Sequence, residues 1–179
     1  SAQMAMVGFA AAEMPDVPIA LHAGELTMGL VPPEDLRFHI REAVEVAGAD
    51  RIGHGVDLMY EDDPYGLLAE MAARNVAVEI NLTSNDVILG VVGDDHPFEI
   101  YRAHGVPVLL STDDEGVSRI DLTHEYARAV ETYDLTYAEV KTLSYNSLLY
   151  AFAAERDALI AELDQRFAAF EASAIAAGD

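Results

Sequence analysis

The chain has 179 residues, enough for one domain with a real core. Apolar residues make up 51% and charged residues 23%, and a net charge of -22 argues against nucleic-acid backbones and anionic membranes as partners, since like charges repel. Cysteine is absent, which excludes disulfides and thiolate metal sites but leaves the compartment undecided.

No apolar stretch is long enough to span a bilayer, and no signal peptide opens the chain. Ser1 is not a natural start, so a fragment or a processed piece is expected. Gln3 to Glu13 reads as a helix, with Met4, Val7 and Ala11 on one face. Pro15 and Pro18 bracket the turn into a first strand, the apolar run Val17 to Leu21, which ends in His22-Ala23-Gly24-Glu25. A helix is expected from near Pro33, with Glu34 and Asp35 in its first turn and Leu36, Ile40, Val44 and Ala47 as its apolar stripe, closed by Gly48.

The second strand, from Asp50, ends in Gly53-His54-Gly55, and a helix follows from Pro64 to Arg74, with Leu67, Leu68 and Met71 inward and Asn75 as its cap. The third strand, Val76 to Leu82, ends in Thr83-Ser84-Asn85; a long loop, Asp86 to Asp95, leads to His96-Pro97 and a short helix through Tyr101 and Ala103. The fourth, Val106 to Leu110, runs into Ser111-Thr112-Asp113-Asp114-Glu115. Consecutive acids there repel one another unless a cation or donors compensate. Helices follow: one marked by Leu122, Tyr126 and Val130, and one opened by the capping box Thr136 to Glu139. The last is expected from about Ser147 or later, with Leu159, Leu163, Phe167 and Phe170 on one face and a frayed tail from Ala172 to Asp179.

Strands alternating with helices predict an α/β fold with a parallel sheet. The four strands read here are half of a (β/α)8 TIM barrel, which takes about 250 residues when complete. The expectation is therefore a single domain, residues 1–179, forming the C-terminal half of such a barrel plus C-terminal helices, with the N-terminal half supplied elsewhere or lost. In a parallel barrel the strand ends meet at one mouth, where chemistry is carried. His22, His54 and Asp113 stand at three such ends; neutral imidazole and carboxylate suit zinc, and a metal so held acidifies its water. Glu25 would enter the same cavity as a general acid, and Asp114 could bind substrate. Each residue alone is more economically read as structural. His39, His104 and His124 are read as packed or solvated, His96 as the start of a helix, and Tyr126, Tyr133 and Tyr137 as core or surface aromatics.

His22-Ala-Gly-Glu25, Gly53-His54-Gly55 and Ser111-Thr-Asp113-Asp114, in this order, resemble the adenosine deaminase family of metal-dependent amidohydrolases. The similarity runs from about residue 17 to 119, and Asp113 to Arg119 with Leu122 to Tyr126 is closer to the branch related to adenosine deaminase growth factors. The resemblance implies hydrolytic deamination of adenosine or a related purine nucleoside. His22 and Asp113 would be zinc ligands, Gly24 and Asp114 would contact the purine, Glu25 would protonate its ring nitrogen, and His54 would orient and help deprotonate the attacking water. The family also places a His-x-His pair on its first strand, which this chain lacks. The fragment alone is therefore expected to bind metal weakly and to be inactive. Two other readings stay open: a deaminase or amidohydrolase for another purine derivative, and a non-catalytic barrel scaffold. An oligomer is possible, and the compartment, cytoplasmic or secreted, stays open.

Overall fold

A computed structural model describes residues 1–178. Four parallel strands, β1 (Ala20–Ala23), β2 (Arg51–His54), β3 (Ala77–Ile80) and β4 (Val108–Leu110), form one sheet in the order β1-β2-β3-β4. Strands neighbouring in sequence are thus neighbours in space, joined by helical crossovers: α2 (His39–Glu45) between β1 and β2, α3 (Pro64–Arg74) between β2 and β3, α4 (Leu82–Leu89) and α5 (Phe98–Ala103) between β3 and β4. Ahead of the sheet lies α1 (Ala2–Glu13); after it come α6 (Glu115–Ser118), α7 (Leu122–Tyr133), α8 (Tyr137–Leu149) and α9 (Arg156–Ala177). Among the described residues, no helix is long and apolar enough to cross a membrane.

The in-register pairing sets the two faces of the sheet. Leu21, Ile52, Val78 and Val108 align across it, as do Ile80 and Leu110. This face meets the helices: Ile40 and Val44 of α2, Leu67, Leu68 and Met71 of α3, Phe98 and Tyr101 of α5, and Leu143 of α8 form one buried core with it. The opposite face is open. Ala20 and His22 are exposed and Arg51, Gly53 and Glu79 half-buried there, with Arg51 and Glu79 paired at 3.0 Å across β2 and β3. A parallel sheet normally has both faces covered, so this open face is what the inner wall of a barrel looks like when only half of it is present.

Local signals account for most boundaries. In α3, Asp63 accepts from the Gly66 N–H at 3.0 Å, Pro64 opens the helix and Asn75 closes it in a left-handed conformation. In α8, Thr136 and Glu139 form the expected capping box. Three expectations change. The helix expected from Pro33 is split into a 3-10 turn, Pro33–Leu36, and α2, because the buried Glu61 carboxylate accepts from the N–H groups of Ile40 and Arg41 and sets a new helix start. The loop expected from Asp86 is largely helix: α4 starts at Leu82, where the buried Glu125 carboxylate accepts from the Thr83 N–H and Arg128 bridges Thr83 to Asp86. The last helix starts at Arg156, in keeping with an expected start at Ser147 or later, but continues to Ala177 rather than fraying from Ala172; Asp179 lies outside the described residues.

Tyr101, fully buried, donates its hydroxyl to the Gly55 carbonyl at 2.7 Å and so braces the backbone next to His54 from below. Tyr101→Phe would leave that carbonyl unpaired, and a stability loss of about 1–3 kcal/mol is expected from the shift of the urea unfolding midpoint at constant slope. An unchanged midpoint would show that water or a shifted backbone replaces the bond.

Candidate active site at the strand ends

β1, β2 and β4 hand over to loops at the same edge of the sheet. His22 lies on the open face of β1. His54 closes β2 with φ of 74°, and Asp113, just past β4, has φ of 52°. Left-handed backbone is costly for such residues and turns both side chains away from the course their strands would give them. The result is convergence: one ligand atom each from His22, His54 and Asp113 lies within 4.8 Å of the other two. The imidazole rings of His22 and His54 are 5.0 Å apart at their centroids.

This donor set has the right chemistry for a zinc-like ion. Ligand atoms on a tetrahedral ion of this kind sit about 3.4 Å apart. The 4.8 Å spread is wider than that, so His22 and Asp113 would draw together around a bound ion. Glu25 joins the group, its Oε2 3.6 Å from His54 Nε2, and Asp113 Oδ2 is 4.0 Å from the same nitrogen. Burial holds the His54 imidazole below its ordinary pKa, against the opposing pull of Glu25 and Asp113.

Gly24 is buried with φ of +75°, and a Cβ there would meet Asp57 Oδ1 at 2.5 Å and Ile40 at 2.9 Å, so only glycine fits. Its carbonyl accepts from the N–H groups of Val56 and Asp57. What Gly24 has left to offer a ligand is its N–H. Asp114, next to Asp113, is exposed and precedes α6, without a side-chain capping bond.

Four buried residues that sequence reasoning left without a site role surround this group. Ser84 donates to Asp113 Oδ2 at 2.6 Å. The amide nitrogens of Asn85 and Asn81 lie 3.0 and 3.3 Å from His54 Nδ1. Asn85 Oδ1 lies 3.1 Å from Nε2 of His96, whose Nδ1 accepts from the Phe98 N–H at 3.1 Å. His96 is thus more than the start of a helix, and burial lowers its pKa to about 4, so it is neutral at ordinary pH. The signal available was Thr83-Ser84-Asn85 at a strand end, equivalent in place to the other polar clusters. His39, by contrast, stacks on Phe38 at 4.6 Å, and His104 is exposed, as expected of packed or solvated residues.

Behind Gly24, Asp57 is fully buried, and neither of its carboxylate oxygens has a hydrogen-bond partner. Burial first, and the Glu61 carboxylate second, push its pKa up to about 7.

The sequence model described as "Adenosine deaminase" matches residues 2–166. An adenosine deaminase of Clostridium perfringens is 33% identical over 138 residues, 76% of this chain and 38% of that protein. Among solved structures, the adenine deaminase from Arthrobacter aurescens aligns with a TM-score of 0.70 and 26% identity, over 89% of this chain and 46% of that one. The N6-methyl-AMP deaminase from Arabidopsis thaliana aligns with a TM-score of 0.70 and 28% identity, over 87% of this chain and 43% of that one. The chain thus spans less than half the length of these relatives.

Proposed function

The chain belongs to the adenosine deaminase family, and from that premise we propose that residues 1–179 are one domain, the C-terminal part of a barrel that hydrolyses the exocyclic amine of adenosine or a related aminopurine nucleoside. The observation that carries this reading is the convergence of His22, His54 and Asp113 from three strand ends, with Glu25 against His54. The rest of the barrel would cover the open face of the sheet and complete the ligand set.

His22 and Asp113 would hold a zinc ion. The chemistry supplied there is Lewis acidity, which makes water a competent nucleophile near neutral pH. The chain's own groups do the rest. Glu25 gives a proton to the purine ring nitrogen beside the reacting carbon, offsetting the negative charge that grows on the ring as water adds. His54 orients that water, and Asp113, held by Ser84, faces the same point. The Gly24 N–H and Asp114 bind the purine edge. The carbon–nitrogen bond then breaks, ammonia leaves, and an inosine-type product remains.

The similarity to enzymes named for adenine and for N6-methyl-AMP supports a second reading in which another aminopurine is the substrate. One experiment tests both readings. Zinc content and the absorbance change on adenosine, adenine and N6-methyl-AMP are measured for residues 1–179, alone and joined to the missing half-barrel. Alone, weak zinc binding and no turnover are expected; joined, about one zinc per site and turnover of one of the three. Tight zinc binding with full turnover by 1–179 alone would overturn the shared-site reading, and a joined, folded, zinc-loaded barrel inert to all three would overturn the deaminase reading.

A further inference from the structure

The buried chain Phe98–His96–Asn85–His54 has only one consistent arrangement of protons. The Phe98 backbone N–H is a fixed donor, and it points at His96 Nδ1 at 3.1 Å. That nitrogen is therefore the acceptor of the ring, and in a neutral imidazole the proton must be on the other nitrogen, Nε2. The Nε2–H then donates to Asn85 Oδ1 at 3.1 Å. With its oxygen so engaged, the Asn85 amide turns its NH2 to His54 Nδ1, 3.0 Å away. Reversing the amide would require His96 to accept at both nitrogens, which only an imidazolate could do. A second amide, Nδ2 of Asn81, approaches the same His54 nitrogen at 3.3 Å. His54 Nδ1 is thus the acceptor, and the His54 proton sits on Nε2, facing Glu25 at 3.6 Å and Asp113 at 4.0 Å.

We infer that Asn85 and His96 are positioning residues: they hold His54 as the Nε2–H tautomer, so that it meets the reaction centre as a hydrogen-bond donor rather than as a metal ligand or a base. The bonds that do this come from α4 and from the segment entering α5, not from the strand that carries His54. The inference deepens the deaminase reading and, for its catalytic consequence only, rests on it. An Nε2–H cannot ligate an ion, which leaves His22 and Asp113 as this chain's ligands. An N–H donor aimed between two carboxylates can hold a water by its oxygen, and the proton that water sheds must then go to a carboxylate, Asp113 or Glu25.

The test reads the tautomer directly in residues 1–179. With 15N-labelled histidine, long-range proton–nitrogen correlation distinguishes a protonated ring nitrogen from a bare one, and His54→Gln identifies the resonances. In the parent chain, His54 is expected to show a protonated Nε2 and a bare Nδ1, and His96 the same pattern. In Asn85→Asp, a carboxylate replaces the donor, and the His54 pattern is expected to reverse, with the proton moving to Nδ1. In His96→Phe, which keeps the ring volume, the Asn85 amide is free to turn, and a mixture of the two tautomers is expected. A parent His54 protonated on Nδ1 would overturn the inference without any variant, as would a folded Asn85→Asp with an unchanged pattern. If Asn85→Asp does not fold, the parent spectrum and His96→Phe decide. In the joined barrel, Asn85→Asp is expected to lower kcat about 10- to 100-fold with a smaller change in KM. An unchanged kcat in a variant whose tautomer has reversed would refute the positioning role. An inert joined parent with the expected tautomer would instead sink the deaminase reading and leave the proton arrangement standing.

Discussion

Glu25→Gln in the joined barrel is expected to lower kcat for the aminopurine substrate by about 10²- to 10⁴-fold while leaving the fold and the zinc content unchanged. The side chain stands beside His54 at 3.6 Å and remains partly open to solvent, where a ring nitrogen could reach it. Glutamine keeps the length and shape, and it still turns a carbonyl oxygen toward His54 Nε2. What it cannot do is carry a transferable proton. The loss should therefore fall on kcat, because protonation of the ring matters in the transition state, whereas contacts to the purine edge persist in both states. Steady-state kinetics with adenosine, together with circular dichroism and zinc analysis, check this. A loss of less than about tenfold would show that Glu25 is not the proton donor. The scaffold alternative makes the opposite forecast: the same substitution should then alter no measurable property, since Glu25 caps no helix and supports no core.

Asp57→Asn is expected to stabilise the chain at pH 8 and to have little effect at pH 4. Asp57 is fully buried beneath the Gly24 loop with neither oxygen paired, and its pKa is pushed from 3.8 up to about 7. The folded state therefore binds this proton more tightly than the unfolded state does. Stability from this group is fully present below about pH 4 and is lost as pH rises through about 7. The gap of about 3 pH units, at about 1.4 kcal/mol each, puts the loss on the order of 4 kcal/mol, as an upper figure. Glu61, also raised by burial, shifts the balance in the same direction and will leave a residual slope in the variant. Asparagine fills the same volume without a charge to desolvate. Urea midpoints at pH 4, 6 and 8 check the forecast. If Asp57→Asn destabilises equally at all three, then the carboxylate is not being ionised at a cost in the folded chain.

Why these two residues differ in legibility is instructive. Glu25 could be read from the chain because its role follows from where a short apolar run stops, and that is a local property. His22, Gly53-His54-Gly55 and Asp113 share this property: a buried parallel strand declares itself by apolar residues, and its end by glycine and polar groups. Asp57 carries no such mark. Its burial depends on residues distant along the chain, such as Gly24, whose backbone passes directly over its carboxylate. The misplaced helix boundaries have the same origin. α2 and α4 start where the carboxylates of Glu61 and Glu125 receive their first N–H groups, and those acids lie about 20 and 40 residues away along the chain.

By itself, the amino-acid sequence determined the alternation of strands and helices, the parallel sheet, the half-barrel count and the polar residues at the strand ends. Each of these rests on periodicity or turn chemistry within a few neighbouring positions. Only the tertiary structure decided that His22, His54 and Asp113 meet, that one face of the sheet is open, and which groups face each nitrogen of His54. Those are properties of contacts between segments, and the hydrogen bonds that run from Phe98 through His96 and Asn85 to His54 exist only once three separate stretches of chain are held at fixed distances.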